Sequence, residues 1–228
     1  MDNITYNLKL KDGKEYTFDV DIDRQDRREE TNKETHSFWI QLSYNQCSNC
    51  PLQASTHTYC PSALDLEEIA KKFADIISTE RADVWVHTKN RSFFKNCDVQ
   101  EALKSIFGLI MASGSCPILS RLKPLAHFHL PFADLEETVH RLVGTYLIKQ
   151  HLIFREGKND PDWDLKGVEK LYRELEIVNV HFMYRLRDAS KKDASSNALY
   201  IFVTLTGLIA MDINKAIESF GPIVRRGL

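Results

Sequence analysis

Cys47, Cys50, Cys60 and Cys116 are four of the chain's five cysteines, and the first three fall within fourteen residues. In Cys47-Ser48-Asn49-Cys50-Pro51-Leu52 the two-residue spacing lets both sulfurs turn toward one metal ion. Cys50, Cys60 and Cys116 are each followed by proline, which fixes its own φ and restricts the residue before it, so the loops are stiff. The set predicts one metal site made of Cys47, Cys50, Cys60 and Cys116, with Zn²⁺ as the leading occupant. An iron–sulfur cluster is the alternative, because cysteines beside proline occur in cluster loops. His57 is the near alternative for the fourth ligand, and Cys97, His127 and His129 are further ones.

Each chemistry sets its own requirements. Three or more thiolates around zinc leave no position open for water, which makes the site structural. A catalytic variant would keep one exchangeable position and use Glu67 or Glu68 as proton carrier. The zinc deaminases need His-x-Glu followed by Pro-Cys-x-x-Cys; here the order is Cys-x-x-Cys-Pro and no His-x-Glu exists. Thiol–disulfide exchange through Cys47 and Cys50 is chemically possible, but the pair follows a strand instead of opening a helix. His127, His129, Asp134 and His140 form a looser group whose simplest reading is polar residues satisfied at a helix junction. His181 and Tyr184 read as the edge of a long helix. Glycine-rich phosphate loops, His-Glu-x-x-His and Gly-x-Ser-x-Gly are absent.

These residues need elements to hold them. Ile4, Tyr6, Leu8 and Leu10 alternate with polar residues, Asp12-Gly13 marks a turn, and Tyr16, Phe18, Val20 and Ile22 repeat the period, predicting a β-hairpin. Residues 23–34 are polar and read as an exposed loop. A third strand is predicted over His36–Leu42, with Trp39 pointing outward, and a fourth over Asp83–His87. Capping boxes are predicted at Asp65/Glu68, Asp98/Glu101 and Asp134/Glu137, each ahead of an apolar 3.6-residue period. Cys60 then lies before one helix and Cys116, after Ser113-Gly114-Ser115, before another, where the dipole favours a thiolate. Later helices are expected to about Phe154, from Trp163 or Asp164 to Asp188, and from Asn197 to Phe220, where Gly221-Pro222 stops the last one. The first half of that last helix is apolar nearly all round, which predicts a central helix covered on every side.

With 228 residues, 43% apolar, 27% charged and a formal net charge of −2, the chain is ordinary for a globular protein and poorly suited to dense phosphate contacts. The start lacks the pattern of a signal peptide, and the longest apolar tract, Ala198–Met211, falls short of the roughly 20 residues that span a bilayer. The expected location is therefore cytoplasmic, with no nucleic acid and no membrane as partner. An unknown protein partner or a homodimer, through Trp39 or an edge strand, stays open.

The Cys47–Leu52 run, Cys60-Pro61 and Ser113-Gly114-Ser115-Cys116-Pro117 resemble an uncharacterised family of bacterial cytosolic proteins, a domain of unknown function. That resemblance implies no activity, substrate or ligand. The expected architecture is α+β: an N-terminal antiparallel β-sheet with a packed helix over residues 1–96, then a helical bundle over 97–228, packed as one unit. The expected function is a metal-stabilised interaction or regulatory protein. The alternative is an iron–sulfur or metal-dependent redox enzyme with a small-ligand pocket near Cys116, His127 and His129.

Overall fold

Alternating side chains commit the N-terminus to a sheet with one buried face. In the computed structural model, which describes residues 3–24, 36–189 and 191–226, β1 (Asn3–Leu10) buries Ile4, Tyr6, Leu8 and Leu10. Gly13, at φ +89°, closes the turn to β2 (Glu15–Asp21), with Gly13 N–H donating to Leu10 O at 3.0 Å. β3 (Arg81–His87) and β4 (Ser92–Asp98) complete a four-stranded sheet of order β2-β1-β3-β4, antiparallel throughout. Tyr6 stands opposite Phe18 on one side and Val86 on the other, so its ring is wedged into the buried face.

That face is covered by α1 (Pro61–Lys72) and by α2 (Val99–Ser113), which follows β4 without a loop. The C-terminal helices are α3 (Lys123–His127), α4 (Leu135–Arg155), α5 (Lys166–Ala189), α6 (Ala194–Met211) and α7 (Ile213–Val224). α6 packs along α5 and α2, and α7 lies against α4. The α+β expectation is met: an antiparallel sheet with packed helices, then a bundle of long helices. At the junction, the Arg24 guanidinium bonds Asp65 Oδ2 at 2.8 Å, Ser113 Oγ at 2.7 Å and Ile110 O at 2.7 Å. A Cβ on Gly114 would stand 2.5 Å from Asp65 Oδ2, so only glycine lets the chain pass this junction.

Several local expectations are corrected. His36–Leu42 is not a strand: Phe38–Ile40 is one 3₁₀ turn, joined to the chain beyond by the single bridge Gln41↔Tyr59. Trp39 is only 2% exposed and Phe38 is the outward ring, so Trp39 offers no dimer contact. The alternating pattern failed because the 3₁₀ turn rotates successive side chains by a third of a turn, not a half. β4, missed in the sequence, carries Phe93, Lys95 and Cys97 on alternate positions. Asp134 and Glu137 form the expected capping box, but Asp65 lies inside α1, whose N-cap is Cys60, and Asp98, at the N-cap position of α2, turns its carboxylate to Arg81 instead.

The last predicted helix is two. Asp212 adopts φ −162° and ψ 89°, ending α6, and its carboxylate accepts from Lys215 N–H to start α7. Pro222 lies inside α7, which runs on to Val224. α6 is not covered all round: Leu208 is half exposed and Met211 is 84% exposed. Its 18 residues are long and apolar enough, by length and composition, to cross a membrane. The predicted loop over 23–34 lies mostly outside the described residues.

Candidate functional site

The cysteine set has to be settled first. Cys47 and Cys50 flank a turn closed by Cys50 N–H to Cys47 O at 3.0 Å. Cys60 is the buried residue before α1, and Cys116 lies ahead of a 3₁₀ turn over Leu119–Leu122, not an α-helix. All four line one small apolar pocket of about 20 Å³ with Leu42, Leu52, Val178 and Phe182. Yet among the described residues no group of three or more His, Cys, Asp or Glu side chains could hold a metal ion. The expected Zn²⁺ or iron–sulfur site at Cys47, Cys50, Cys60 and Cys116 is therefore corrected, and with it the metal-stabilised and metal-dependent functions.

Burial, and after it the neighbouring thiols, pushes Cys47 up to about 12, and burial pushes Cys60 up to about 11 and Cys116 upward. Burial thus outweighs the helix-start effect expected for Cys60 and Cys116. The alternative ligands lie on other partners. His57 Nδ1 meets Thr56 Oγ1 at 2.9 Å, His127 faces Asp23 at 3.2 Å, His140 packs on Phe220, and Cys97 is buried on β4.

What fixes the cysteine loop is Arg185 of α5, only 1% exposed. Its Nη1 donates to Trp39 O at 2.5 Å and Gln41 O at 2.8 Å, and its Nη2 to Leu42 O at 3.0 Å. Asn49 Nδ2 adds a bond to Glu174 O at 3.0 Å. Three charge-assisted bonds from one planar fork hold three successive parts of an irregular segment on α5.

A second concave feature, mainly apolar, lies between α2, α3, α4, α5 and α6. It is a cavity of about 140 Å³ whose walls include Leu109, Met111, Leu122, Leu175, Phe202 and Leu205. On α2, Lys104, Gly108 and Met111 share one face at helical spacing, and on α4 Thr138 and Arg141 are one turn apart on another, so both helices present polar groups to the same space.

Those groups form a small polar rim. Tyr6 Oη lies 2.7 Å from Ser105 Oγ and 2.5 Å from His129 Nε2, and Phe132 N–H donates to Ser105 Oγ at 3.1 Å. Burial pushes the Tyr6 phenol well above its usual range. Burial, then the Arg141 charge, brings His129 down to about 3, so its imidazole is neutral at pH 7. Phe132, beside it, holds φ +61°, a left-handed conformation that costs a phenylalanine about 1–2 kcal/mol. Lys104 donates to Ala133 O at 3.2 Å and Arg141 Nη2 to Leu125 O at 2.7 Å, while Arg141 Nε is buried with no partner. Burial lowers both cations.

The sequence reading placed a small-ligand pocket near Cys116, His127 and His129; of these only His129 lines this cavity, and the rest of the site was missed. Its signals were Lys104 and Ser105 interrupting an otherwise apolar helix and Arg141 between Val139 and Leu142, but their convergence depends on how α2 and α4 cross. Tyr6, read only as a strand residue, reaches the rim because β1 is central in the sheet.

Fold and site together describe an α+β protein with a partly open, mainly apolar cavity rimmed by cations and a neutral histidine. The chain belongs to the family described as Domain of unknown function (DUF6901), whose model matches residues 4–223. Comparisons with curated proteins and with solved structures returned no match.

Proposed function

We propose that the protein is a small-molecule-binding module whose ligand occupies the cavity between α2, α4, α5 and α6. The observation carrying this reading is the combination of apolar walls with a few convergent polar groups, the general character of ligand sites. At about 140 Å³ the space matches cavities that accept a benzene-sized body, so the ligand is compact. The strained Phe132 and the neutral His129 beside it support the reading, since strain and perturbed titration gather where a site must be pre-organised.

On this reading the Cys47–Leu52 run serves packing: Asn49 ties it to α5 at Glu174 O, next to the Trp39–Leu42 segment that Arg185 holds. The module needs neither nucleic acid nor membrane, and a cytoplasmic location suits its free thiols. The test is isothermal titration with benzyl alcohol and benzoate on the wild type and on Ala112→Leu, which fills the cavity from α2. Saturable binding to the wild type that Ala112→Leu removes, without loss of thermal stability, supports the proposal. Equal binding to both proteins places the ligand elsewhere and sinks it.

A further inference from the structure

We infer that the ligand of this cavity carries a carboxylate, received by Arg141 with Lys104 beside it; the inference rests on the proposed binding function. Among the described residues no aspartate or glutamate lines the cavity, while two cations do. Neither cation has an ion pair among the described residues. Arg141 makes one hydrogen bond there, from Nη2 to Leu125 O, and its Nε is buried without a partner. Lys104 Nζ has only the Ala133 carbonyl, at 3.2 Å.

The nearby acids are engaged elsewhere. Glu137, one turn before Arg141 on α4, accepts from Asp134 N–H in the capping box, and Asp134 accepts from Glu137 N–H. Glu101, the acid nearest Lys104 on α2, is paired with Lys95 of β4. Tyr6 and Tyr172, the other titratable groups around Arg141, are phenols whose burial raises them far above neutral pH, so they carry no charge.

A cavity holding two cations without ion pairs is costly when empty, because desolvation penalises each of them and the fields of Glu101, Asp134 and Glu137, with one backbone carbonyl apiece, offset this only in part. A carboxylate supplies what is missing. Its oxygens can accept from the terminal nitrogens of the Arg141 guanidinium, and the ammonium of Lys104 adds a point charge without demanding an orientation. His129 cannot compete for this role, since its imidazole is neutral and already bonded to Tyr6. The apolar body of the ligand would then lie toward Met111, Leu175 and Phe202, away from the rim.

The experiment compares acids with the corresponding alcohols by isothermal titration on the full chain at pH 7. The pairs are benzoate with benzyl alcohol and hexanoate with hexanol. Charge-assisted bonds of this kind predict that each acid binds about tenfold or more tightly than its alcohol. Arg141→Met should erase the preference of acid over alcohol, and Arg141→Lys should keep part of it. Should Arg141→Met fold poorly, the wild-type comparison decides alone. Alcohols binding as well as acids would overturn the carboxylate while leaving the binding function standing. Binding of neither class would remove the binding function and this inference with it. An acid preference that survives Arg141→Met would assign the anion to another cation and overturn the inference.

Discussion

Replacing Arg185 by methionine tests how an irregular, cysteine-rich segment is held without a metal. The guanidinium makes three hydrogen bonds, two of them to carbonyls of the buried residues Trp39 and Leu42. At about 1.5–3 kcal/mol for each charge-assisted bond, the gross loss is about 4–9 kcal/mol. Relief from burying a cation with no carboxylate partner returns several kcal/mol. Methionine keeps most of the apolar stem, so the packing loss is small. The expected net destabilisation is about 3 kcal/mol, or a fall in Tm of about 6–12 °C for a chain of this length. Urea and thermal unfolding followed by circular dichroism measure it directly. Arg185→Lys should recover only part of the loss, because one ammonium cannot span three carbonyls in the same plane. A Tm within about 1 °C of the wild type for Arg185→Met would refute the reasoning and require another clamp on the loop.

Further expected outcomes concern the thiols, the rim and the helix ends. Incubation with a strong zinc chelator should leave Tm unchanged within error, since the four thiols act as neutral packing groups; a clear fall on chelation would reopen the question of what binds there. His129 titrates at about 3 when folded against about 6.5 when free, so between these values the unfolded chain holds more protons. Its contribution is fully present above pH 6.5 and is lost as pH falls toward 3, at up to about 1.4 kcal/mol per unit. His129→Gln should flatten this part of the Tm–pH profile, and an unchanged slope would count against the buried neutral imidazole. Asp134→Ala removes the capping box of α4 and should cost about 1 kcal/mol in urea unfolding, with no effect if the α4 start is held by packing alone.

The parts of the fold readable in the sequence were those decided locally. The β1–β2 hairpin follows from strict alternation and Asp12-Gly13, and the α4 start from Asp134 and Glu137, because each depends on neighbours within a few residues. Trp39 was misread because its place depends on Arg185, 146 positions along the chain, drawing the Trp39 carbonyl onto α5. Asp65 and Asp98 resembled caps by spacing, yet α1 already starts at Pro61, ahead of Asp65, and Arg81 of β3 claims Asp98. The cysteines show a related limit. Spacing indicated that Cys47 and Cys50 could turn together, but burial decides whether a thiol ionises, and spacing carries no information on burial. The cavity was the least legible feature, since Tyr6, Lys104, Ser105, His129 and Arg141 come from four separate elements or loops and share no motif.

The most direct measurement is a crystal structure of the protein grown with benzoate at saturating concentration. The account requires density for the ring in the cavity between α2 and α5, with a carboxylate oxygen within hydrogen-bonding distance of Arg141. Density only at other sites, or an unchanged cavity filled by ordered water, would contradict it.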